Sequence, residues 1–248
     1  SAFESNTVSK IAYAIVYLVL IILALNSFQL AASYVNQTIS TMSHFMTALV
    51  PLLLGLMASF GSLAAVSFFH PIIAFLIPIS VLLISKVVIP LFFLSAMLNI
   101  VSTLNENYQV TQLANLLRNI GISLIGGFFT IFLGVISVQG ATSAVQDGVA
   151  MKTTKFVTGN FIPVVGRMFT DATDTVLTAS LLLKNAVGIV GVVILLGLIL
   201  FPAIKVFVIS IIYKLTSALL QPVGDGPVIK CMNGISGHIL LLFAALAV

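Results

Sequence analysis

The polar residues best placed to act together lie on a helix that the sequence predicts after Pro163. Their successive spacings of four, three, four and seven residues put them on one face of that helix. An arginine near two aspartates partly neutralises this stripe, which suits a pore lining, a re-entrant segment or a partner-docking face. A solvated surface helix gives the same pattern. The stripe contains Arg167, Asp171, Asp174, Thr178 and Asn185.

The stretch just before this helix is predicted to be irregular. Residues 159–163 include a glycine, an asparagine and a proline, a composition that favours a break in a helix. Irregular backbone is tolerated at membrane depth only where it lines a cavity or is buried in protein. We therefore expect the segment 158–178, which includes Thr158 and Asn160, to be a pathway or coupling element.

Two lysines lie inside long apolar runs. Lys86 sits deep in its run, where a charged side chain costs about 3 kcal/mol or more if it stays at the bilayer centre. This position indicates a polar pathway or a buried partner, and snorkelling to an interface beside Pro78 or Pro90 explains it equally well. Lys205 lies nearer the end of its run, so snorkelling explains it better, although it could also line a pocket with Lys86.

One short pattern suggests covalent chemistry. Residues 234–237 match the G-x-S-G pattern of rhomboid-type intramembrane serine proteases, which need a histidine on another helix aimed at the serine. His238 follows Ser236 by two residues and points elsewhere on a helix, so close packing of small residues explains the pattern better. The other histidines and Cys231 lack metal-ligand spacing. The sequence therefore predicts no enzyme, no catalytic residue, no metal and no cofactor.

The composition decides the class of protein. Of 248 residues, 60% are hydrophobic and 6% are charged, whereas a soluble domain has about 25% charged residues. So few charges cannot cover a water-soluble globule, which rules out a soluble enzyme, a nucleic-acid-binding domain, a disordered chain and a secreted disulfide scaffold. The sequence predicts an all-α polytopic membrane protein that binds no nucleic acid.

The apolar runs predict about six to seven transmembrane helices with broken or re-entrant segments, in a single membrane domain over residues 1–248. We expect breaks at Pro71 and Pro202, a kink or break near Pro78 or Pro90, and amphipathic interfacial helices over 31–47 and 105–119. The last run begins at His238 and reaches only about half of a membrane span, so we expect a fragment of a longer precursor. The predicted runs are 11–30, 49–69, 72–98, 120–138, 186–201, 203–220 and 238–248.

Two parts of the chain, 48–140 and 160–248, share short anchors in the same order. For example, residues 86–89 in the first copy and residues 205–208 in the second both begin with Lys-Val. Three membrane segments in each copy would give the inverted repeat typical of transporters. Chance similarity between apolar runs explains the same anchors.

Residues 155–177 resemble the stage III sporulation protein AE family of endospore-forming bacteria, most specifically over 159–174, and the hydropathy pattern agrees over essentially all 248 residues. This resemblance implies a multi-pass protein of the mother-cell membrane around the forespore. It also implies a channel complex with an ATPase and ring-forming subunits as partners. The resemblance assigns no catalytic residues to this chain. Family members are longer, which agrees with a fragment.

We therefore predict a membrane-embedded component of a transenvelope channel or export complex that acts in sporulation, contacts the lipid bilayer and forms a homo-oligomer. A self-contained inverted-repeat transporter of small solutes is one alternative. A structural scaffold that docks a ring or an ATPase through residues 140–185 is another. The residues predicted to line the pathway or couple it are Lys86, Thr158, Asn160, Arg167, Asp171, Asp174, Thr178 and Lys205.

Overall fold

The computed structural model describes residues 2–59, 63–104, 110–161, 165–224 and 226–247. These residues are helical almost throughout and contain no strand, which confirms the predicted all-α class. A π-helical turn, Ile84–Val88, joins the second and third helices, and a 3-10 turn, Gln221–Val223, follows the fifth. The α-helices are α1 (Ala2–Ser59), α2 (Leu63–Leu83), α3 (Ile89–Leu104), α4 (Thr111–Phe161), α5 (Val165–Leu220) and α6 (Pro227–Ala247).

Within the described residues, five helical segments are long and apolar enough to cross a membrane. Each exceeds the roughly 20 residues that a bilayer core requires. This finding supports a membrane protein, whereas the count of six to seven spans and the inverted repeat stay predictions. The five candidate spans are Ile11–Leu53, Pro71–Thr103, Thr111–Val138, Asn185–Leu220 and Pro227–Ala247.

The predicted breaks at prolines were wrong at two positions. α2 continues through Pro71, and α5 continues through Pro202. A proline removes one backbone donor from a helix, and in apolar helices neighbouring groups and small geometric adjustments can satisfy the freed carbonyl. Several predicted segments therefore belong to one longer helix.

Other predicted boundaries also fall inside helices. Residues 31–47 are an uninterrupted part of α1, because residues 11–50 contain neither proline nor glycine. In the second amphipathic segment, 105–109 lie outside the described residues and 111–119 begin α4 without a break. The last helix begins at Pro227 instead of His238, because a proline at the first helical position has a suitable φ and needs no donor.

The π-helical turn lies between Pro78 and Pro90, where the sequence predicts a kink or break. The backbone N–H of Ile89 bonds to the carbonyl of Ile84, five residues earlier. In a regular α-helix the ring of Pro90 would meet the carbonyl of Lys86, which would also lack a donor. Widening the helix by one residue relieves this conflict, and it does so at Lys86.

The chain divides into two compact units, which we call unit 1 and unit 2. Unit 1 comprises Ser1–Ser40, Val81–Gly127 and Ile199–Val248, and unit 2 comprises Thr41–Ser80 and Phe128–Leu198. In unit 1, α3 packs against α6. Its large, fully buried apolar side chains are Phe28, Val35, Val88, Phe92, Val206, Ile235, Ile239 and Leu242.

Close packing in unit 1 makes one glycine of α4 hard to replace. A Cβ added to Gly121 would lie 2.5 Å from Cε1 of Phe92, whose side chain is 0% exposed and cannot move into open space. We expect Gly121→Ala to lower the free energy of unfolding by about 1–3 kcal/mol through overpacking. The midpoint of thermal unfolding in detergent, followed by circular dichroism, measures this change.

Gly127 of the same helix provides the control, because no described atom lies within 4 Å of its added Cβ. We expect Gly127→Ala to be neutral or stabilising, since alanine favours a helix over glycine by about 1 kcal/mol. Equal midpoints for the two variants would contradict the packing between Gly121 and Phe92.

Candidate functional site

Buried hydroxyl groups in unit 1 tie α5 to α6. The Oγ of Ser210 donates to the carbonyl of Ser236 at 2.9 Å, and the Oγ of Ser236 donates to the carbonyl of Ser210 at 3.0 Å. Both residues are buried. A buried hydroxyl without a partner is costly, and in lipid no water can replace the missing partner. These reciprocal bonds therefore hold the two helices in one register.

A second buried network joins three helices around His238. The Oγ of Ser95 on α3 lies 2.7 Å from the carbonyl oxygen of Ala114 on α4 and 2.9 Å from Nε2 of His238 on α6. The Nδ1 of His238 lies 2.8 Å from the carbonyl oxygen of Gly234. Because a carbonyl only accepts, Nδ1 must carry the hydrogen in this contact. The Nε2 of His238 thus connects α6 to α3, whereas its Nδ1 bonds within α6.

These contacts bear on the intramembrane protease pattern. Ser236 bonds to Ser210, whereas the serine within hydrogen-bond distance of His238 is Ser95. A nucleophile must be reached by its substrate, and Ser95 is 1% exposed. The Ser95–His238 contact therefore connects helices. At Gly234, an added Cβ would meet Nδ2 of Asn99 on α3, which agrees with a small residue at this position.

Further polar contacts attach α1 to the rest of unit 1. The Oη of Tyr17 lies 2.6 Å from Oγ1 of Thr103 on α3. The Oη of Tyr213 on α5 lies 2.8 Å from Oγ of Ser27 and 3.1 Å from the carbonyl oxygen of Leu23, both on α1. α1 is therefore fixed to both α3 and α5 by tyrosine hydroxyl groups.

The two predicted lysine sites both lie in unit 1. The Nζ of Lys205 lies 5.1 Å from the ring centroid of Tyr34 on α1, a cation–π contact, and the rest of its side chain is exposed. Lys86 is also exposed and lies in the π-helical turn between buried Ile84 and Val88. Each lysine thus stands at the edge of the buried core, and a pocket shared by the two stays a prediction.

The other six predicted residues lie in unit 2. Thr158 and Asn160 are near the end of α4, and α5 begins at Val165, as predicted for a helix after Pro163. The predicted break was wrong over residues 159–161, which are helical, and 162–164 lie outside the described residues. The side chain of Thr178 is exposed. Arg167, Asp171 and Asp174 share α5 with Thr178, and their side chains, like those of Thr158 and Asn160, lie outside the description.

Both predicted lysines lie inside candidate spans of the described residues, Lys86 in Pro71–Thr103 and Lys205 in Asn185–Leu220.

Sequence comparison identifies the family. The profile of stage III sporulation protein AE matches residues 1–248. The chain belongs to this family. Over all 248 residues it is 62% identical to Stage III sporulation protein AE of Bacillus subtilis (strain 168), and it spans 62% of that protein's length. No solved structure matches the chain.

Family membership confirms the resemblance at residues 155–177. The family is described as stage III sporulation protein AE, and the five candidate spans of the described residues agree with a membrane protein.

Sequence reasoning missed the role of Ser95 and Ser210. Ser95 and His238 are 143 residues apart in the chain, and Ser210 and Ser236 are 26 apart. The available signal was a polar residue in an apolar run, because such a residue needs a partner within the protein. That signal indicates that a partner exists, but it does not say which residue it is.

The His238 network predicts a measurable cost for losing one hydroxyl. Ser95→Ala leaves Nε2 of His238 buried without a partner, which costs about 1–3 kcal/mol. For a chain of this size, we expect the unfolding midpoint in detergent to fall by roughly 2–10 °C.

Ser33→Ala is the matched control, because Ser33 is an exposed serine in α1 of the same unit. We expect its midpoint to stay within about 2 °C of the wild type. A Ser95→Ala variant as stable as Ser33→Ala would show that the buried network contributes nothing to stability.

Proposed function

We propose that this protein is a membrane-embedded component of a channel or export complex that acts in sporulation between the mother cell and the forespore. The family and the candidate spans support its place in a membrane. The observation that carries the proposal is that α4 and α5 stay helical through the charged segments 139–161 and 165–184. We call residues 139–161 and 165–184 the polar extension.

The polar extension is long and unusually charged for this chain. Its part in α4, residues 139–161, has 23 residues, and its part in α5, residues 165–184, has 20. At about 1.5 Å per residue, these helical segments are roughly 35 and 30 Å long. They carry seven of the sixteen formal charges in the sequence, namely Asp147, Lys152, Lys155, Arg167, Asp171, Asp174 and Lys184.

Helices of this kind face water or another protein, because charged side chains are expensive in hydrocarbon. In a transenvelope complex, the polar extension would contact the ring-forming subunits or the ATPase, and the stripe with Arg167, Asp171 and Asp174 would couple them to the membrane helices. Lys86 and Lys205 would line the pathway within unit 1. The protein would form a homo-oligomer in the mother-cell membrane around the forespore.

A self-contained transporter of small solutes is the second candidate. It is favoured by unit 1, which contains both span lysines and the buried Ser95–His238 contact in one compact unit. Electron microscopy of the full-length protein in lipid nanodiscs separates the two candidates. A ring, or an assembly held through the polar extension, supports the channel component. A compact monomer or dimer with one pocket at Lys86 and Lys205 supports the transporter.

The polar stripe gives a direct test in sporulating cells. We expect the full-length Arg167→Ala/Asp171→Ala variant to accumulate normally but to retain less of its protein partners on purification. A loss of about 1.4 kcal/mol in docking free energy weakens the association tenfold. The count of heat-resistant spores should fall together with the recovery of protein partners. Immunoblotting measures whether the variant accumulates normally.

Gln29→Ala serves as the control, because Gln29 is exposed and polar and lies in α1, far from the stripe in sequence. Its spore count and partner recovery should match the wild type. Normal spore counts and normal partner recovery from the double variant would contradict a docking role for the stripe.

A further inference from the structure

One face of α4 in unit 1 carries polar and small residues along its candidate membrane span. Every residue of this set, which we call the α4 polar stripe, is exposed, and none carries a formal charge. An α-helix turns by about 100° per residue, so the set falls within roughly 80° of the helix surface. The α4 polar stripe consists of Gln112, Asn115, Asn119, Ser123 and Gly126.

The opposite face of α4 contacts α3. Ala114, Gly121 and Ile125 are buried on that face. The carbonyl of Ala114 accepts from Oγ of Ser95 at 2.7 Å, and a Cβ added to Gly121 would meet the ring of Phe92. The α4 polar stripe therefore points away from the core of unit 1.

The stripe extends into the hydrocarbon region of the span. Asn119 and Ser123 lie eight and twelve residues after Thr111, where the span Thr111–Val138 begins, or about 12 and 18 Å along the helix axis. Gly121, between them, contacts Phe92, which lies eleven residues, or about 17 Å, before the end of the span Pro71–Thr103. Two neighbouring spans thus place these polar residues well inside a bilayer.

Lipid does not suit the α4 polar stripe, although it suits both of its borders. Amide and hydroxyl groups are expensive in hydrocarbon, because lipid tails offer no hydrogen-bond partner. The bordering side chains are apolar and exposed, with Leu116 and Ile120 on one side and Ile122 on the other. A narrow polar stripe between apolar borders is typical of a helix–helix contact in lipid, where polar side chains bond across the contact and small residues permit close approach.

The chemistry of the stripe fits a second copy of this chain. The amides of Asn and Gln both donate and accept, so identical side chains complement each other. Copies inserted in the same direction lie parallel, and a symmetry axis along the membrane normal brings identical residues to the same depth. An uncharged stripe avoids repulsion between copies. Arg118 lies about 100° around the helix from Asn119, where its charge acts on His238 of α6.

We propose that the α4 polar stripe is the surface through which copies of this chain associate in the membrane, with Asn119 of one copy hydrogen-bonded to Asn119 of the next and with Ser123 and Gly126 at the closest approach of the helices. This surface deepens the proposed function, because it would build the homo-oligomer of the channel component. Self-association itself needs no partner protein.

Disulfide crosslinking of the full-length protein in native membranes tests the contact. Two sulfurs bridge only when their Cα atoms approach within about 7 Å. We expect Ser123→Cys to form a covalent homodimer on oxidation, recognised by the presence of two different tags in one band. Ile120→Cys is the matched control, because Ile120 is exposed within one turn of Ser123 but lies outside the stripe, and it should give several-fold less dimer. The wild type, with its buried Cys231, gives the background.

A second variant measures what the amide contributes. We expect Asn119→Leu to weaken self-association in liposomes about three- to tenfold, as for the loss of one polar contact between membrane helices, measured by energy transfer between labelled copies at increasing lipid dilution. Ile120→Leu should associate like the wild type. Because Asn119 is exposed, the unfolding midpoint of Asn119→Leu in detergent should stay within about 2 °C of the wild type, so weaker association would not reflect misfolding.

The proposal is disproved if Ser123→Cys forms no more dimer than Ile120→Cys, or if Asn119→Leu associates as strongly as the wild type. Reaction of Ser123→Cys with a membrane-impermeant thiol reagent, without dimer formation, would also overturn it and would show that the stripe lines a water-filled pathway. None of these results depends on the spore count or partner recovery of the Arg167→Ala/Asp171→Ala variant. Failure of this surface is therefore distinguishable from failure of the proposed channel role.

Discussion

Hydrocarbon offers no hydrogen-bond partner, and this constraint shapes the buried part of unit 1. Each hydroxyl or ring nitrogen inside it must find its partner in the protein, because water cannot supply one. Ser210 and Ser236 satisfy each other, and Ser95 is shared between His238 and a carbonyl of α4. Each of these polar groups would be energetically costly if it were buried without a partner. Because they pair with one another, they determine which helices are neighbours and in what register.

The chain combines two kinds of helix surface. Within the candidate spans, many exposed side chains are Leu, Ile, Val or Phe, which suit contact with lipid. Beyond Val138 and before Asn185, the same two helices carry seven charges and suit water or protein. α4 and α5 continue through this change of composition without a break.

The sequence was sufficient for the class of fold and for one important boundary. A charged content of 6% excludes a soluble domain whatever the arrangement of helices, and the start of a helix after Pro163 follows from proline geometry. The breaks at Pro71 and Pro202 were wrong: both helices continue through the proline, because one missing donor does not by itself end an apolar helix.

The site was harder to predict than the fold. Lys86 and Lys205 stood out because a charge in an apolar run is rare, and this argument needs no knowledge of neighbours. Tyr34 did not stand out, because a tyrosine is ordinary in such a helix until a lysine 171 positions later in the sequence is placed over its ring. Contacts of this kind depend on how helices are arranged, which spacing along one helix does not encode.

The π-helical turn at Lys86 also sets a rotational phase. An α-helix turns by about 100° per residue, so one extra residue rotates everything after it by that angle relative to an unbroken helix. All of α3 lies after the turn, including Phe92 and Ser95. By favouring the wider turn, Pro90 therefore determines which side of α3 faces Gly121 and His238.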